Sequence, residues 1–240
     1  MITLYQGPPA WGLPNISPFA IKVETFLRMV DLPYKARPVD PRKGPRQKIP
    51  WIDDDGVIVA DSQLIVDYLS QKYRCDLDQD LSAEQRALGH ALRRMLEEGA
   101  YFVGLYARWI DPEGWPLIKA LLGPLLPRLL APMILRILRK KITAQAYAQG
   151  TGRHPPADIY KLGSADLEAA ATLLGDQPYF LGDEPSSVDA TAFAFLTSLL
   201  WAPFDSPMSR RAADFPQLDR YCHRMWQRYY ADRPLPDGAS

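Results

Sequence analysis

Cysteine is scarce in this chain. Cys75 and Cys222 are the only two, and neither stands in a C-x-x-C pair. That excludes a disulfide-stapled scaffold and a dithiol oxidoreductase, and it fits a reducing, cytoplasmic compartment. Charge of one sign is also missing. Lys+Arg and Asp+Glu are both 28, so no electrostatic footprint for nucleic acid is expected. The three histidines, His90, His154 and His223, lie far apart, and none shows H-x-x-x-H or E-x-x-H spacing. No metal site is therefore expected. The segment GTGRH is followed by no G-K-[ST], which excludes a phosphate loop, and Arg153-His154 reads as an anchor between helices. The N-terminus lacks a basic region followed by an apolar run, so no leader is expected. One long apolar stretch exists, Trp115 to Ile142, but Lys119, Arg128, Arg136 and four prolines interrupt it. Charges within a membrane span are costly, so helices buried in a second domain are the expectation here. The alternative is a basic amphipathic surface that touches lipid.

What the chain has in excess is proline, 23 of 240 residues, about twice the usual ~5%. The prolines punctuate a readable order of elements. Ile2 to Gln6 is a short strand candidate ended by Gly7-Pro8-Pro9. Phe19, Val23, Phe26, Leu27 and Val30 recur at helical spacing, and Tyr34 to Val39 reads as a second strand. Asp55-Gly56 between Trp51-Ile52 and Val57-Ile58-Val59 predicts a hairpin. A further helix starts at Asp61. The order β-α-β, then β-β-α, predicts a four-stranded mixed sheet with helices on both faces, a thioredoxin-like layout over residues 1–75. Beyond a linker near Arg74 to Asp80 no strand pattern recurs. Ser82 to Gln85 forms a capping box. Leu167, Ala170, Ala171 and Leu174 make one helical stripe closed by Gly175, and Leu218, Tyr221, Cys222, Met225, Trp226 and Tyr229 make another. Residues 80–235 are thus expected to form an all-helical domain, giving a fold of α/β plus all-α. Ser186-Ser187-Val188-Asp189 caps a helix that is apolar on nearly every face, and it reads as structural.

Three pieces of the first domain could carry chemistry. Ser17-Pro18 has the form of a helix cap with proline at the first helical position. The same geometry would put a hydroxyl where free N–H groups and the positive dipole end could hold an anion such as a thiolate. Ile49-Pro50 before a strand is either an ordinary trans bond or a cis bond that frees the Ile49 N–H and C=O for an extended ligand. Asp61-Ser62 is either a cap or a recognition pair, with Asp61 taking an ammonium and Ser62 and its helix N-terminus taking a carboxylate. Tyr5 is either another candidate hydroxyl or a buried strand residue, and the loop residues Trp11 and Asn15 either border the thiol or serve packing and the turn.

In this order, Ser17-Pro18-Phe19-Ala20, KIPWI, ADSQLIVDYL and SSVDATAFAF resemble the cytosolic glutathione transferase superfamily over nearly the whole chain. QGTGRH, LGDQPYFLGDEPSSVDAT and the segment from Ala202 to Tyr230 resemble its failed-axon-connections and metaxin-like branch. The resemblance implies an N-terminal thioredoxin-like domain and an all-helical glutathione-transferase C-terminal domain. It implies glutathione as co-substrate, Ser17 as the catalytic hydroxyl, and Ile49, Pro50, Asp61 and Ser62 as the glutathione contacts. It further implies a small hydrophobic electrophile, for which Tyr101, Tyr106, Trp109 and Trp201 are candidate walls, and a homodimer. Metaxins serve in protein import, so a non-catalytic glutathione-binding or protein-interaction scaffold is the rival expectation.

Overall fold

The computed structural model describes residues 1–239. Its elements, in chain order, are β1 (Ile2–Gln6), α1 (Pro18–Met29), β2 (Tyr34–Pro38), β3 (Trp51–Asp54), β4 (Val57–Ala60), α2 (Ser62–Tyr73), α3 (Ala83–Arg94), α4 (Tyr101–Trp109), α5 (Trp115–Leu122), α6 (Ala131–Gln149), α7 (Pro156–Leu174), α8 (Ser187–Leu200), α9 (Pro207–Ala212) and α10 (Pro216–Tyr229). Two compact units result. Met1–Arg93, Leu174–Ala202 and Gln217–Ser240 form the first, and Arg94–Leu173 with Pro203–Pro216 form the second.

The first unit carries the sheet, ordered β2-β1-β3-β4. β1 pairs parallel with β2 and antiparallel with β3, and β3 pairs antiparallel with β4. The hairpin turns at Asp55-Gly56, both at positive φ (52° and 94°), as that dipeptide predicts. Side chains alternate across the sheet. Ile2, Leu4 and Ile52 face one core with Val23, Phe26 and Leu27 of α1 and Ile65, Val66 and Leu69 of α2. Both helices thus share one face. The sequence predicted helices on both faces, but the proline-broken stretch between β2 and β3 forms only a 3-10 turn, Pro41–Lys43. Proline removes the donors that a longer helix would need there.

α8 is the central helix that its composition predicted, with every residue from Val188 to Ser198 buried. It packs on α1 through a T-shaped pair, Phe19 on Phe195, with centroids 5.1 Å apart. Its cap is the expected one. Asp189 accepts from the Ser186 N–H at 2.8 Å, the Ser186 hydroxyl at 2.9 Å, the Phe180 N–H at 3.2 Å and the Tyr221 hydroxyl at 3.1 Å. The Ser82 and Gln85 side chains likewise cap each other's backbone N–H at 3.1 and 2.9 Å.

Two buried carboxylates brace the unit. Asp54 accepts from Lys72 at 2.6 Å, Tyr73 at 2.9 Å and Tyr68 at 3.1 Å. Burial opposes its ionisation, but these donors hold its carboxyl below the usual range. Glu24 of α1 accepts from Gln6 at 3.0 Å, Tyr34 at 3.0 Å and Arg233 at 2.6 Å. Arg28 closes this cluster by holding Asp232 at 2.6 Å and the Tyr229 carbonyl at 2.8 Å. Burial, then the Glu24 charge, push the Tyr34 phenol up to about 12. The C-terminal segment is thereby tied to α1, and Pro236 passes so close to Gly12 that a Cβ there would sit 2.9 Å from its Cα.

In the second unit, a π-helical turn spans Met95–Ala100 and α4 follows. Gly163 of α7 lets that helix meet Val103 and Met208, since a Cβ there would lie 2.7 Å from each side chain. The Arg139 guanidinium of α6 donates to the carbonyls of Trp109 and Ile110, both at 2.8 Å, and so caps the end of α4. The apolar stretch predicted to form buried helices does form helices, α5 and α6. Burial fails, however: only Ile118 of α5 and Leu135 and Ala146 of α6 are buried. Among the described residues no helix is long and apolar enough to cross a membrane.

Asp166 of α7 lies over Gly99, and burial pushes its carboxyl up to about 6 from an ordinary 3.8. The folded state then holds a proton that the unfolded chain releases, so stability falls as pH rises from 3.8 to about 6. Asp166→Asn is expected to raise stability at pH 7 by ~1–2 kcal/mol, discounted for partial exposure, and to do nothing at pH 3.5. Thermal melts of both proteins across that window check this.

Candidate functional site

The sheet register brings the candidate segments together. Tyr5, Trp51 and Ala60 lie side by side at one end of the sheet. The loop to Ser17 leaves that end of β1, Pro50 enters it before β3, and Asp61 leaves it after β4. Adjacent strands are ~4.8 Å apart, so all three segments start within about 10 Å of one another. The Asp54 cluster belongs to the opposite end, where Asp54 pairs with Ile2 and Val57.

Asn15 organises the loop before α1. It is fully buried, donates to the Gly7 carbonyl at 2.6 Å and accepts from the Ser17 N–H at 3.0 Å. Ser17 is the cap residue by position, with φ −98° and ψ 121°. Its carbonyl accepts from the N–H groups of Ala20 at 3.0 Å and Ile21 at 3.1 Å. Its hydroxyl, expected to cap as well, makes no capping bond. Asn15 satisfies the Ser17 N–H, and the Ala20 N–H that a side-chain cap would use bonds the Ser17 carbonyl instead. The first turn of α1 contains no acidic residue, so its positive dipole end is unneutralised. An anion placed there meets a hydroxyl donor and the helix N-terminus together.

The Ile49-Pro50 bond is cis. Among the described residues the Ile49 backbone enters no turn or loop hydrogen bond. Gly7 permits the contact between this segment and the Ser17 loop: a Cβ at Gly7 would lie 3.1 Å from Ile49 Cδ1, 3.2 Å from Asn15 Oδ1 and 3.3 Å from Ile16 Cγ2. Asp61 does cap α2, accepting from the Gln63 N–H at 3.1 Å, and it holds the unusual φ of 87°. It stays exposed, and a carboxylate has further lone pairs to offer a cation. Ser62 is buried at the first turn.

Lys22 was not singled out by sequence reasoning. It is 1% exposed, and its ammonium donates to Gln63 Oε1 at 2.7 Å, while Gln63 Nε2 donates to Asp67 at 2.8 Å. This chain ties α1 to the first turn of α2. The available signal was a lone lysine among Ala20, Ile21, Val23 and Phe26, a run otherwise reserved for the core.

The other candidates have their own surroundings. The Tyr5 ring stacks on Trp51, with centroids 3.7 Å apart and planes 8° apart. By strand alternation it lies on the sheet face away from α1. Trp201 is not a pocket wall: it is 2% exposed and donates to Asp219 at 2.7 Å. Tyr101, Tyr106 and Trp109 belong to α4 of the second unit. Arg153 donates to the Tyr147 carbonyl at 2.9 Å, which makes it a helix-end anchor, and His154 is exposed beside it. Burial raises the thiols of Cys75 and Cys222 above the ordinary value, which suits neither to thiolate chemistry.

Asn15→Ala is expected to cost ~1–3 kcal/mol, because it strands the Gly7 carbonyl and the Ser17 N–H. Urea unfolding measures the effect.

Family models match both halves of the chain. Residues 18–114 match the glutathione S-transferase N-terminal domain and residues 163–225 match the glutathione S-transferase C-terminal domain. The chain is 32% identical to an isoprene-epoxide–glutathione S-transferase of Rhodococcus sp. (strain AD45), over 95% of this chain and 99% of that protein. It is also 32% identical to Failed axon connections of Drosophila melanogaster, over 99% of this chain but only 63% of that protein. Metaxin-1 of Homo sapiens is 26% identical over 95% of this chain and 51% of its own length. Among solved structures, a rice glutathione S-transferase in complex with glutathione superposes with a TM-score of 0.64 at 15% identity, covering 99% of this chain and 92% of that one. The chain belongs to the glutathione S-transferase family, and its relatives include the failed-axon-connections and metaxin-like branch.

Proposed function

We propose that this protein binds glutathione at the shared sheet end and transfers its thiolate to a small hydrophobic electrophile. The observation that carries the reading is the Ser17 hydroxyl, left without a capping bond at an unneutralised helix N-terminus. Ser17 donates to the glutathione sulfur. The Ile49 N–H and C=O pair with the peptide backbone, and Pro50 holds the bend. Asp61 takes the γ-glutamyl ammonium, while Ser62 and the α2 N-terminus take its carboxylate. A free thiol with pKa ~8.5 is only a few per cent ionised at pH 7. Lowering that value by two units needs about 2.7 kcal/mol, within reach of one charged hydrogen bond and the dipole end together.

The Rhodococcus relative makes an epoxide the first electrophile to test. The sulfur lone pair forms a C–S bond at an epoxide carbon, the C–O bond breaks, and the resulting alkoxide takes a proton from water. Calorimetric titration with reduced glutathione is expected to saturate in the millimolar range or below, and Asp61→Ala is expected to weaken it at least tenfold. Failure to saturate at millimolar glutathione would overturn the reading. The similarity to metaxin-1 and Failed axon connections favours a second reading, a scaffold that binds glutathione without turning it over. Binding without conjugation of isoprene epoxide or 1-chloro-2,4-dinitrobenzene would select that one. We further propose a cytoplasmic homodimer, which light scattering tests for mass.

A further inference from the structure

The α5–α6 region of the second unit has a surface that the transferase reading leaves unused. Leu125, Leu129 and Leu130 in the connection are 62%, 93% and 48% exposed, and Met133 and Ile137 on α6 are 55% and 58% exposed. Met133 and Ile137 are one helical turn apart and so lie on one stripe. At 100° per residue, Arg136 and Lys140 fall on one flank of that stripe and Lys141 on the other. Leu135 and Ala146, the buried residues of α6, occupy the opposite side.

The charge of this region is one-sided. The whole chain is neutral, yet residues 114–157 contain no Asp or Glu at all. Arg139 of this stretch turns inward to cap α4, and Arg153 is committed to Tyr147. Arg128, Arg136, Lys140 and Lys141 remain exposed beside the leucines. Among the described residues none of these four has a carboxylate partner. An apolar stripe flanked by unpaired cations is the pattern of a helix lying in a membrane interface, with the apolar side chains in the acyl boundary and the cations at the headgroups.

We infer that this face docks on an anionic lipid surface. A second copy of the chain fits it poorly, because a two-fold interface would bring the same unpaired cations against each other. A spanning segment is a different matter, and no described helix has the length and apolarity for one. Docking therefore means lying on the bilayer.

Co-sedimentation of the full chain with phosphatidylcholine vesicles, with and without phosphatidylserine, tests this. Binding is expected only when phosphatidylserine is present, and it is expected to weaken as salt is raised. Each cation near an anionic surface contributes about fivefold to partitioning, so Arg136→Glu with Lys140→Glu is expected to reduce binding at least tenfold. Leu129→Asp, at a side chain that supports no packing, is expected to reduce it similarly with an unchanged melting temperature. No sedimentation with phosphatidylserine vesicles overturns the inference, as does binding unaffected by either variant. A dimer that Leu129→Asp dissociates also overturns it, since the face would then belong to a second copy.

Discussion

Ser17→Ala is expected to lower kcat/KM for glutathione conjugation about 10- to 10²-fold at pH 7, while glutathione affinity falls by no more than about fourfold. The reason is differential. In the proposed site the hydroxyl contacts the sulfur alone, and it would favour the thiolate over the thiol. Losing a hydrogen bond to a charged group, worth ~1.5–3 kcal/mol, should raise the bound thiol's pKa by about one to two units. The pH–rate profile should move up by the same amount, and the variant should recover much of its rate at alkaline pH. Absorbance of the bound thiolate near 240 nm, titrated in both proteins, measures the shift directly. An unmoved titration would remove Ser17 from the role proposed for it. Asp61→Ala makes the opposite split, losing glutathione binding without moving the titration, so the two variants separate anchoring from activation.

The second large effect concerns stability. Glu24→Ala is expected to destabilise the first unit by ~3–5 kcal/mol, because it leaves buried partners without their carboxylate. Glu24 is fully buried, and its oxygens receive Gln6, Tyr34 and Arg233. Removing the negative charge strands those donors and weakens the tie between α1 and the C-terminal segment. A drop in the urea midpoint at constant slope checks the magnitude. The Tyr34 phenol, now at about 12, should also titrate lower in the variant, although burial keeps it above its ordinary value. A stability change below ~1 kcal/mol would mean that the cluster contributes little net energy, as well-solvated ion pairs do.

Legibility in the sequence followed the range of the interactions. The β-α-β-β-α order, the Asp55-Gly56 turn, the Ser82–Gln85 and Ser186–Asp189 caps and the Gly175 helix end depend on residues within a few positions of each other. Periodicity and turn chemistry report such features directly. The exposure of the apolar stretch from Trp115 was illegible for the opposite reason. Its composition called for burial, but burial needs a partner surface, and no local pattern reveals whether one exists. Lys22 is the converse case, a charged side chain whose burial depends on Gln63, 41 residues away. The missing capping bond of the Ser17 hydroxyl was also hidden, because a serine before Pro18 looks the same with or without that bond.

By itself the sequence determined the order of elements, the helical ends and the short segments from which a site could be built, since those are set by local hydrogen bonding and side-chain period. Only the tertiary structure decided that Ser17, Ile49-Pro50 and Asp61-Ser62 leave one end of the same sheet. That outcome rests on strand register, which aligns Tyr5 with Trp51 and Trp51 with Ala60 across 46 and nine residues of chain. Cross-strand pairing and the shared burial of Leu4, Ile52 and α1 select that register, and no stretch of the chain contains it alone.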